Sequence, residues 1–304
     1  MKLGFVSAIL DQYTFEEMID FASEHGFECV EAACWPKGKA ERRYAGVTHI
    51  DVDTLDAKKV KYIQDYCTRK KVFISSLAYY PNTLDPDPEK RAFHIKHLKK
   101  LIQAASKLDI NMITTFIGRD PKKTVSDNLE IVKEVWPEIV WYAKEHKVKI
   151  AIENCPMLFT DDEWPGGQNI MTSPANWRNV FDILPSEYIG LNYDPSHFVW
   201  QQMDYIKPIY EFKDKIFHVH YKDIKVYQEK LDDVGIMAAP LQYMSPKLPG
   251  LGDVDWGRYV SALTDIGYQG NSCIEIEDKA FEGSDQNVRN SLLLSQKYLK
   301  QFVI

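Results

Sequence analysis

Cysteine is scarce in this 304-residue sequence, and long apolar runs are absent. The five cysteines form no CxxC pair, which excludes a disulfide framework and fits reduced thiols in the cytoplasm. No segment approaches the roughly 20 apolar residues that span a bilayer, so no membrane partner is expected. The apolar start, MKLGFVSAIL, runs into polar residues without a small-residue cleavage site. It is predicted to be a first β-strand rather than a signal peptide.

Two further features are missing, an excess of positive charge and a dinucleotide-binding fingerprint. Lys and Arg total 37 against 44 Asp and Glu, a formal net charge of −7. This balance disfavours a nucleic-acid partner, because duplex binding normally requires a basic surface. No GxGxxG follows the first predicted strand, and the glycines of LPGLGDVDW lie far from it. An open dinucleotide-binding sheet is therefore disfavoured.

The sequence does contain a repeated alternation of apolar strands and helical patterns. Thr14 and Glu17 form a capping box at the first helix, and Pro137 is expected to kink the helix predicted over 125–146. The eight apolar segments are LGFVSAIL, FECVEAACW, VFISSLAYY, NMITTFIG, KIAIEN, YIGLNYD, IFHVHYKD and NSCIEIED. Eight such units without a composition break predict an α/β fold, a (β/α)8 TIM barrel forming a single domain over 1–304.

Long connections follow several of the predicted strands, over 36–53, 81–88, 156–174 and 224–255. The loops after the strands of such a barrel build the active site at one face. Connections of this length suit a cover over a small polar ligand.

Four acidic or imidazole side chains stand at the ends of predicted strands five to eight. They are Glu153, Asp194, His220 and Glu275. Because the carboxyl ends of barrel strands converge, these side chains can meet despite their separation in sequence. One acidic residue at a strand end is often only a helix cap, but four on consecutive strands indicate a site. Three carboxylates and one imidazole suit a hard or borderline divalent ion such as Mn²⁺, Mg²⁺ or Co²⁺.

These residues lie in motifs that extend over essentially the whole chain. The motifs are IEN at Glu153, DPSH at 194–197, HVHYKD at 218–223, PGLGDVDW at 249–256 and GYQGNSCIE ending at Glu275. With them the chain resembles the xylose isomerase-like TIM barrels, in the sugar phosphate isomerase/epimerase branch that includes ketose 3-epimerases and inosose dehydratases. Together the motifs are specific for the superfamily and weakly specific for the reaction.

The resemblance implies one divalent metal ion, with Mn²⁺ expected and Mg²⁺, Co²⁺ or Zn²⁺ as alternatives. The family's metal ligands fall on Glu153, Asp194, His220 and Glu275, and its substrate-facing histidine falls on His197. In the epimerases the two glutamate ligands also act as acid and base on opposite faces of the sugar carbon. The resemblance therefore implies catalytic roles for Glu153, Glu275 and His197.

One departure concerns the second glutamate of the epimerases, expected six residues after the first. Phe159 stands there, and Glu163 is a weak substitute. This weakens the epimerase assignment and leaves the metal site unaffected.

Neighbouring side chains allow two interpretations. His218 shares a strand face with His220 and is predicted to be a hydrogen-bonded barrel-core histidine. Glu277 shares a face with Glu275, so it is either a partner of a ligand or a charge at the start of a helix, and the two could exchange roles.

The expected substrate-binding residues lie in loops at the barrel mouth. They are Trp35, Arg43, His49, Asp223 and Lys225. Trp35 could stack on a sugar ring, and Arg43 could contact an anionic group. Each has a plainer interpretation, because loop residues often only face water. Lys222 could likewise bind a phosphate or hydroxyl, or face water.

These features predict proton transfer next to a carbonyl. The leading hypothesis is a divalent-metal-dependent isomerase or epimerase that acts on a keto sugar or related polyol through an enediolate. Loss of a β-hydroxyl from the same intermediate would make the protein a dehydratase or lyase on a keto sugar or keto-glycoside. The chain is expected to act on a small-molecule sugar or polyol in the cytoplasm. By resemblance to the family, a homo-oligomer is also expected.

Two other hypotheses are weaker. An apurinic endonuclease shares this barrel, but it needs histidines after strands three and four. Those strands here end in LAYYPNTL and TFIGRD, without histidine. The second is a non-catalytic sugar-binding barrel. Such a protein would not need the complete set of metal ligands, so the presence of that set argues against it.

Overall fold

A closed barrel of parallel strands forms the centre of the computed structural model, which describes residues 1–38, 45–158 and 163–303. The barrel strands are β1 (Lys2–Val6), β2 (Cys29–Ala33), β3 (Phe73–Ala78), β4 (Met112–Thr115), β5 (Lys149–Glu153), β6 (Ile189–Tyr193), β7 (Ile216–Tyr221) and β10 (Asn271–Ile274). They are hydrogen-bonded in the order β1-β10-β7-β6-β5-β4-β3-β2. The predicted (β/α)8 barrel is therefore confirmed.

Helices surround the barrel and connect its strands. Those of the described residues are α1 (Phe15–Glu24), α2 (Ala57–Lys70), α3 (Pro88–Lys107), α4 (Val125–Glu145), α5 (Pro174–Ile183), α6 (Ser196–Val199), α7 (Lys207–Glu211), α8 (Gln228–Val234), α9 (Trp256–Asp265) and α10 (Asp285–Leu299). The predicted capping box begins α1: the Glu17 N–H donates to the Thr14 hydroxyl, and the Thr14 N–H donates to the Glu17 carboxylate. Helix α4 continues through Pro137 as one element.

The long connection after β7 has its own structure. Strands β8 (Asp223–Val226) and β9 (Met244–Lys247) form a separate antiparallel pair there, and α8 lies between them. In the described part of the chain, no helix has both the length and the apolar character needed to cross a membrane.

The core divides into an apolar layer and a polar barrel interior. Large side chains such as Trp136, Trp177 and Trp256 are buried. Inside the barrel, Glu31 and Asn192 are fully buried. Buried polar groups are costly unless they are paired, so this interior points to a built site.

Strand register places the predicted ligands at one end of the barrel. Glu153 on β5 is level with Asn192 on β6, two residues before Asp194. Cys273 on β10 is level with His220 on β7. Glu275 follows Cys273 by two residues, so it lies on the same face and one layer closer to the carboxyl end of the barrel than the histidine. Convergence of parallel strand ends therefore brings the four side chains together.

Candidate metal centre

Four side chains converge at the carboxyl end of the barrel. Glu153, Asp194, His220 and Glu275 each offer one ligand atom, and these atoms all lie within 4.8 Å of one another. The Nδ1 atom of His220 lies 3.2 Å from Glu275 Oε2 and 3.8 Å from Glu153 Oε1. Glu153, Asp194 and His220 are almost completely buried. The structure thus juxtaposes all four residues that the sequence predicted as ligands.

Three of these ligand atoms have no hydrogen-bond partner among the described residues. They are Glu153 Oε1, Asp194 Oδ2 and His220 Nδ1, all buried. Leaving a buried acceptor unpaired costs about 1–3 kcal/mol, and more when the group is charged. A divalent cation satisfies carboxylate oxygens that point at one place, and it binds the imidazole once Nδ1 has lost its proton. Three carboxylates with one imidazole form a ligand set suited to such an ion. The residues present therefore fit a metal ion.

The backbone of Asp194 is held by the residue that follows Glu153. Asn154 accepts a hydrogen bond from the Asp194 N–H at 2.8 Å and donates to the Asp194 carbonyl at 2.9 Å. The N–H of Ser196 donates to Asp194 Oδ1 at 2.8 Å. The Ser196 contact occupies one carboxylate oxygen, while Oδ2 faces the cluster. The asparagine of the IEN motif is thus a positioning residue.

The orientation of His220 is set by Glu31 on β2, which the sequence analysis missed. Glu31 Oε2 lies 2.9 Å from His220 Nε2, and Tyr80 donates to the other oxygen of Glu31. Burial raises the pKa of Glu31, but His220, His218 and Tyr80 outweigh it and hold the pKa below its usual value. An ionised carboxylate only accepts, so Nε2 carries a proton and Nδ1 faces the cluster. The available signal was a lone acid within the buried strand CVEAA.

Lys222, for which the sequence left open an anion or hydroxyl contact or a position facing water, is buried among the carboxylates. Its Nζ atom lies 2.8 Å from Glu275 Oε2, 3.1 Å from Asp194 Oδ2, 3.6 Å from Glu277 Oε2 and 3.7 Å from Glu153 Oε1. Burial lowers the pKa of Lys222, but the surrounding carboxylates outweigh it and raise the pKa well above its usual value. A fixed ammonium charge therefore flanks the four ligands and offsets their mutual repulsion.

The two glutamates of the cluster differ in their electrostatics. Burial raises the pKa of Glu153, but Lys222, His197 and His220 outweigh it and bring the pKa well below its usual value. Burial dominates at Glu275 and raises its pKa. Pairs of carboxyl groups with opposed shifts are typical of acid and base partners.

His197 lies at the edge of the cluster. It belongs to the short helix α6, and its Nε2 atom lies 3.3 Å from Asp194 Oδ2 and 3.5 Å from Glu153 Oε1. Neither ring nitrogen has a hydrogen-bond partner among the described residues, although the side chain is buried. The ring is thus available to a ligand at this point.

A cavity opens above the cluster and is lined by both polar and apolar side chains. Glu153, Lys222 and Glu275 lie at its polar end, while Trp35 and Phe116 line its apolar wall. Among the predicted substrate-binding residues, Trp35 therefore reaches the site. Arg43 lies outside the described residues, as does Phe159.

His49 does not reach the cluster. Its Nδ1 atom hydrogen-bonds Ser7 Oγ at 2.9 Å, and its Nε2 atom hydrogen-bonds the Leu10 carbonyl at 3.1 Å. Both ring nitrogens are therefore occupied, one by a side-chain hydroxyl and one by a backbone carbonyl. The structure gives His49 a packing role where the sequence suggested a substrate contact.

Asp223 and Lys225 also differ from expectation. Lys225 is exposed on the β8–β9 pair, near the ring of Tyr227. The buried Asp223 carboxylate accepts hydrogen bonds from the N–H groups of Ile224, Gly250 and Val254 and from the indole of Trp256. A Cβ at Gly252 would lie 2.2 Å from Asp223 Oδ1, so only glycine fits there. Asp223 anchors the loop, and its oxygens are already occupied.

Replacing Asp223 with alanine should lower the free energy of unfolding by about 3 kcal/mol, because several buried N–H donors lose their acceptor. Lys225→Ala is the matched control and should change stability by no more than about 0.5 kcal/mol. Urea unfolding followed by circular dichroism measures both. Equal stability of the two variants would contradict the anchoring role.

The remaining neighbours have defined partners. His218 hydrogen-bonds Asn192 Oδ1 at 3.0 Å and Ser75 Oγ at 3.2 Å, as expected for a barrel-core histidine. Glu277 faces Lys222 and is not one of the four convergent residues. Glu163 accepts a hydrogen bond from Gln168 in the loop after β5.

Metal binding at this site should release about one proton per ion near pH 7. Burial lowers the pKa of His220, but Glu31 and Glu275 outweigh it and raise the pKa well above its usual value. Below that pKa the imidazole is protonated and must lose its proton to bind, so affinity should fall as pH falls. Calorimetry of Mn²⁺ binding in buffers of different ionisation enthalpy counts the protons.

Glu31→Gln tests the cause of that proton release. The variant should release fewer protons at pH 7, because the neutral amide no longer raises the pKa of His220. It should also bind Mn²⁺ about 10–100-fold more weakly, because the imidazole loses its orienting carboxylate. Unchanged affinity and proton release would remove Glu31 from the centre.

Known proteins share this architecture. The D-psicose 3-epimerase of Clostridium cellulolyticum H10, solved with D-tagatose, superimposes with a TM-score of 0.70 and 16% identity, covering 100% of this chain and 99% of that one. The IOLI protein, solved with a zinc atom, superimposes with a TM-score of 0.73 and 16% identity over 99% of each chain. At such identities the likeness shows the fold.

Sequence comparison adds a relative of a different reaction class. An inosose dehydratase of Clostridium perfringens is 26% identical over 128 residues, which are 40% of this chain and 41% of the dehydratase. The family model described as xylose isomerase-like TIM barrel matches residues 19–298. That match includes every strand-end residue of the cluster, and with the closed barrel it establishes that the chain belongs to the xylose isomerase-like TIM barrel family.

Proposed function

We propose that this protein is a divalent-metal-dependent isomerase or epimerase that acts on a keto sugar or related polyol. The observation that carries the proposal is the convergence of Glu153, Asp194, His220 and Glu275, with three of their ligand atoms lacking a hydrogen-bond partner among the described residues. The fold that it shares with D-psicose 3-epimerase supports the reaction class. One ion per chain, with Mn²⁺ expected, fits a set dominated by carboxylate oxygen.

The four convergent residues would hold the ion, which supplies positive charge where a carbonyl oxygen becomes an oxyanion. The protein's own groups do the rest. Glu153 is ionised at neutral pH, because Lys222 and two histidines bring its pKa down. An ionised carboxylate can remove the proton next to the carbonyl, and this step leaves an enediolate.

Glu275 is proposed to return the proton. Glu153 ends β5 and Glu275 directly follows β10, and these strands are separated in the barrel by β6 and β7. The Lys222 ammonium lies between their carboxylates, at 3.7 and 2.8 Å. A proton returned to the same carbon from the other face gives an epimer. A proton returned to the neighbouring carbon interconverts an aldose and a ketose.

The cavity above the cluster would position the substrate. Neither ring nitrogen of His197 has a hydrogen-bond partner in the described part of the chain, and this side chain is proposed to contact a substrate oxygen. Lys222 presents a fixed positive charge at the cavity wall, which suits a hydroxyl or an oxyanion. Trp35 offers an apolar face for a sugar ring.

A dehydratase is the second candidate, favoured by the similarity to inosose dehydratase and by Lys222. The first step is the same proton removal. Loss of a β-hydroxyl then needs a proton donor, and the buried Lys222 ammonium and the His197 imidazole both lie beside the cluster. The products separate the two candidates, because elimination yields a dehydrated compound and epimerisation an isomer.

Removing the metal should abolish turnover of keto sugars and keto-polyols, and Mn²⁺, Co²⁺ or Mg²⁺ should restore it. The ion binds only the folded state, so Mn²⁺ at 100 times its Kd should raise stability by about 2.7 kcal/mol. Proton NMR of a substrate panel in deuterated water distinguishes epimer, isomer and dehydrated product. Turnover that survives exhaustive chelation would contradict the proposal.

A further inference from the structure

The mouth of the barrel divides by chemistry into two halves. Strands β5, β6, β7 and β10 are neighbours, and the four convergent residues lie at or next to their carboxyl ends. Strands β4, β3, β2 and β1 form the other run of neighbours, and each ends in, or is directly followed by, an apolar side chain that lines the cavity. These side chains are Val6, Ala33, Ala78 and Phe116. The cavity therefore joins a charged half to an apolar half.

We propose that the apolar half binds an apolar substituent of the substrate, such as an aryl or alkyl group. The keto-polyol part of the same molecule would meet the four convergent residues. This inference rests on the proposed function and narrows its substrate class, from keto sugars in general to keto sugars or polyols that carry such a group. It also gives a role to residues that the proposed proton transfer does not use.

The side chains of the apolar half combine small size with aromatic surface. Val6, Ala33 and Ala78 fill little of the mouth at the ends of their strands. Trp35, two residues beyond β2, and Phe116, directly after β4, line the same cavity. Aromatic side chains offer a large apolar contact area, and an apolar group gains affinity when it leaves water. The wall therefore suits an apolar group better than a polar one.

Two hydroxyl groups beside this wall are already engaged. The Ser7 hydroxyl, directly after β1, accepts from a backbone N–H of β2 at 2.8 Å and hydrogen-bonds His49 Nδ1 at 2.9 Å. The Tyr80 hydroxyl donates to Glu31 and accepts from Asn192 Nδ2 at 3.2 Å. A sugar hydroxyl pressed against the apolar side chains would lose water and gain no partner from them, which costs affinity.

The apolar character of this half is confined to the mouth. Glu31 precedes Ala33 by two residues on β2, so it lies on the same face one layer deeper. It is charged and fully buried, and it contacts His220 across the barrel. Apolar side chains thus lie at the open end of this strand, above a polar layer. Packing alone would favour the opposite order, and this inversion points to an apolar ligand group.

Three hydroxamates test the inference without any turnover. A hydroxamate chelates a divalent ion through its two oxygens and so holds its substituent beside the metal centre. On the Mn²⁺-loaded protein, benzohydroxamate should bind about 10–100-fold more tightly than acetohydroxamate, because its phenyl group leaves water where the methyl group is too small to do so. Threonohydroxamate, which carries a polyhydroxylated chain, should bind no more tightly than acetohydroxamate. Calorimetry measures the three affinities, and titration of free Mn²⁺ corrects for intrinsic chelation.

Two variants of the wall and one control locate the effect. Ala8→Phe should fill the apolar half, because the half-buried Ala8 lines the cavity, and the ratio of benzohydroxamate to acetohydroxamate affinity should fall to about one. Trp35→Ala removes aromatic surface and should lower this ratio several-fold, which covers the case that Ala8→Phe fails to fold. Ala280→Phe is the matched control and should keep the wild-type ratio, because Ala280 is exposed in the loop after β10.

The outcomes separate this inference from the proposed function. Equal affinity for the phenyl and methyl compounds would overturn the inference, as would tighter binding of threonohydroxamate than of benzohydroxamate. A wild-type ratio in both wall variants would also overturn it, and none of these results bears on the proton transfer. Failure of all three hydroxamates to bind the Mn²⁺-loaded protein would instead contradict the metal centre, and the inference would fall with it.

Discussion

Glutamine at position 153 should reduce turnover by about 10²–10⁴-fold, the range expected when a positioned general base is lost. Glutamine keeps a carbonyl oxygen as a possible metal ligand but cannot take a proton. The protein should therefore retain part of its metal while it loses most of its activity. Glu275→Gln should show a loss of similar size, because the proposed proton return depends on that carboxyl group.

Solvent deuterium separates the two roles. In deuterated water, the variant that keeps the base on the attacked face can exchange the substrate α-proton without completing the reaction. The variant that lacks this base should exchange little. Because Glu153 is the ionised member of the pair, Glu153→Gln is expected to be the variant with little exchange. Metal content is measured on the same samples.

Glu277→Gln is the matched control, because Glu277 contacts Lys222 and is not among the convergent residues. It should keep turnover within a few-fold of wild type. If Glu153→Gln and Glu275→Gln bind metal and also turn over at that level, neither glutamate is the base. His197 would then become the candidate, since the Asp223 carboxylate is occupied by the loop it anchors.

Replacing Lys222 with methionine should lower the stability of the metal-free protein by about 3–5 kcal/mol, the usual cost of removing one partner from a buried ionic set. The buried carboxylates of Glu153 and Asp194 would then lose the nearest fixed positive charge. Mn²⁺ supplies the missing charge, so it should restore much of the lost stability. The variant should also bind Mn²⁺ more tightly, because a cation no longer repels the ion.

Thermal unfolding with and without Mn²⁺ measures how much of the stability lost with the Lys222 ammonium is restored by the ion. Lys247→Met is the matched control, because the Lys247 ammonium pairs with one carboxylate, Asp278, at 3.5 Å outside the cluster. Its stability should respond to Mn²⁺ as the wild-type protein does. Equal stability of Lys222→Met and wild type in the absence of metal would show that the ammonium does not balance the cluster.

The sequence by itself determined the barrel and the convergent set. Alternation of apolar strands with amphipathic helices is a local pattern, and eight such units have one common closed arrangement. Once the barrel is given, strand ends must converge. Glu153, Asp194, His220 and Glu275 could therefore be grouped from their positions at the ends of consecutive predicted strands. The capping box at Thr14 could also be predicted, because it too is a local pattern: its two partners are three residues apart.

Only the tertiary structure decided what lies around that set. Glu31, on β2, meets His220 across the barrel, and no local pattern records a contact between residues 189 positions apart. Lys222 follows His220 by two residues, yet its burial depends on carboxylates brought by three other strands. Asp223 and His49 looked like site residues, but backbone and side-chain groups that fold onto them take up their polar atoms. Local spacing specifies which face a side chain occupies, whereas its partners follow from the chain closure that brings distant segments together.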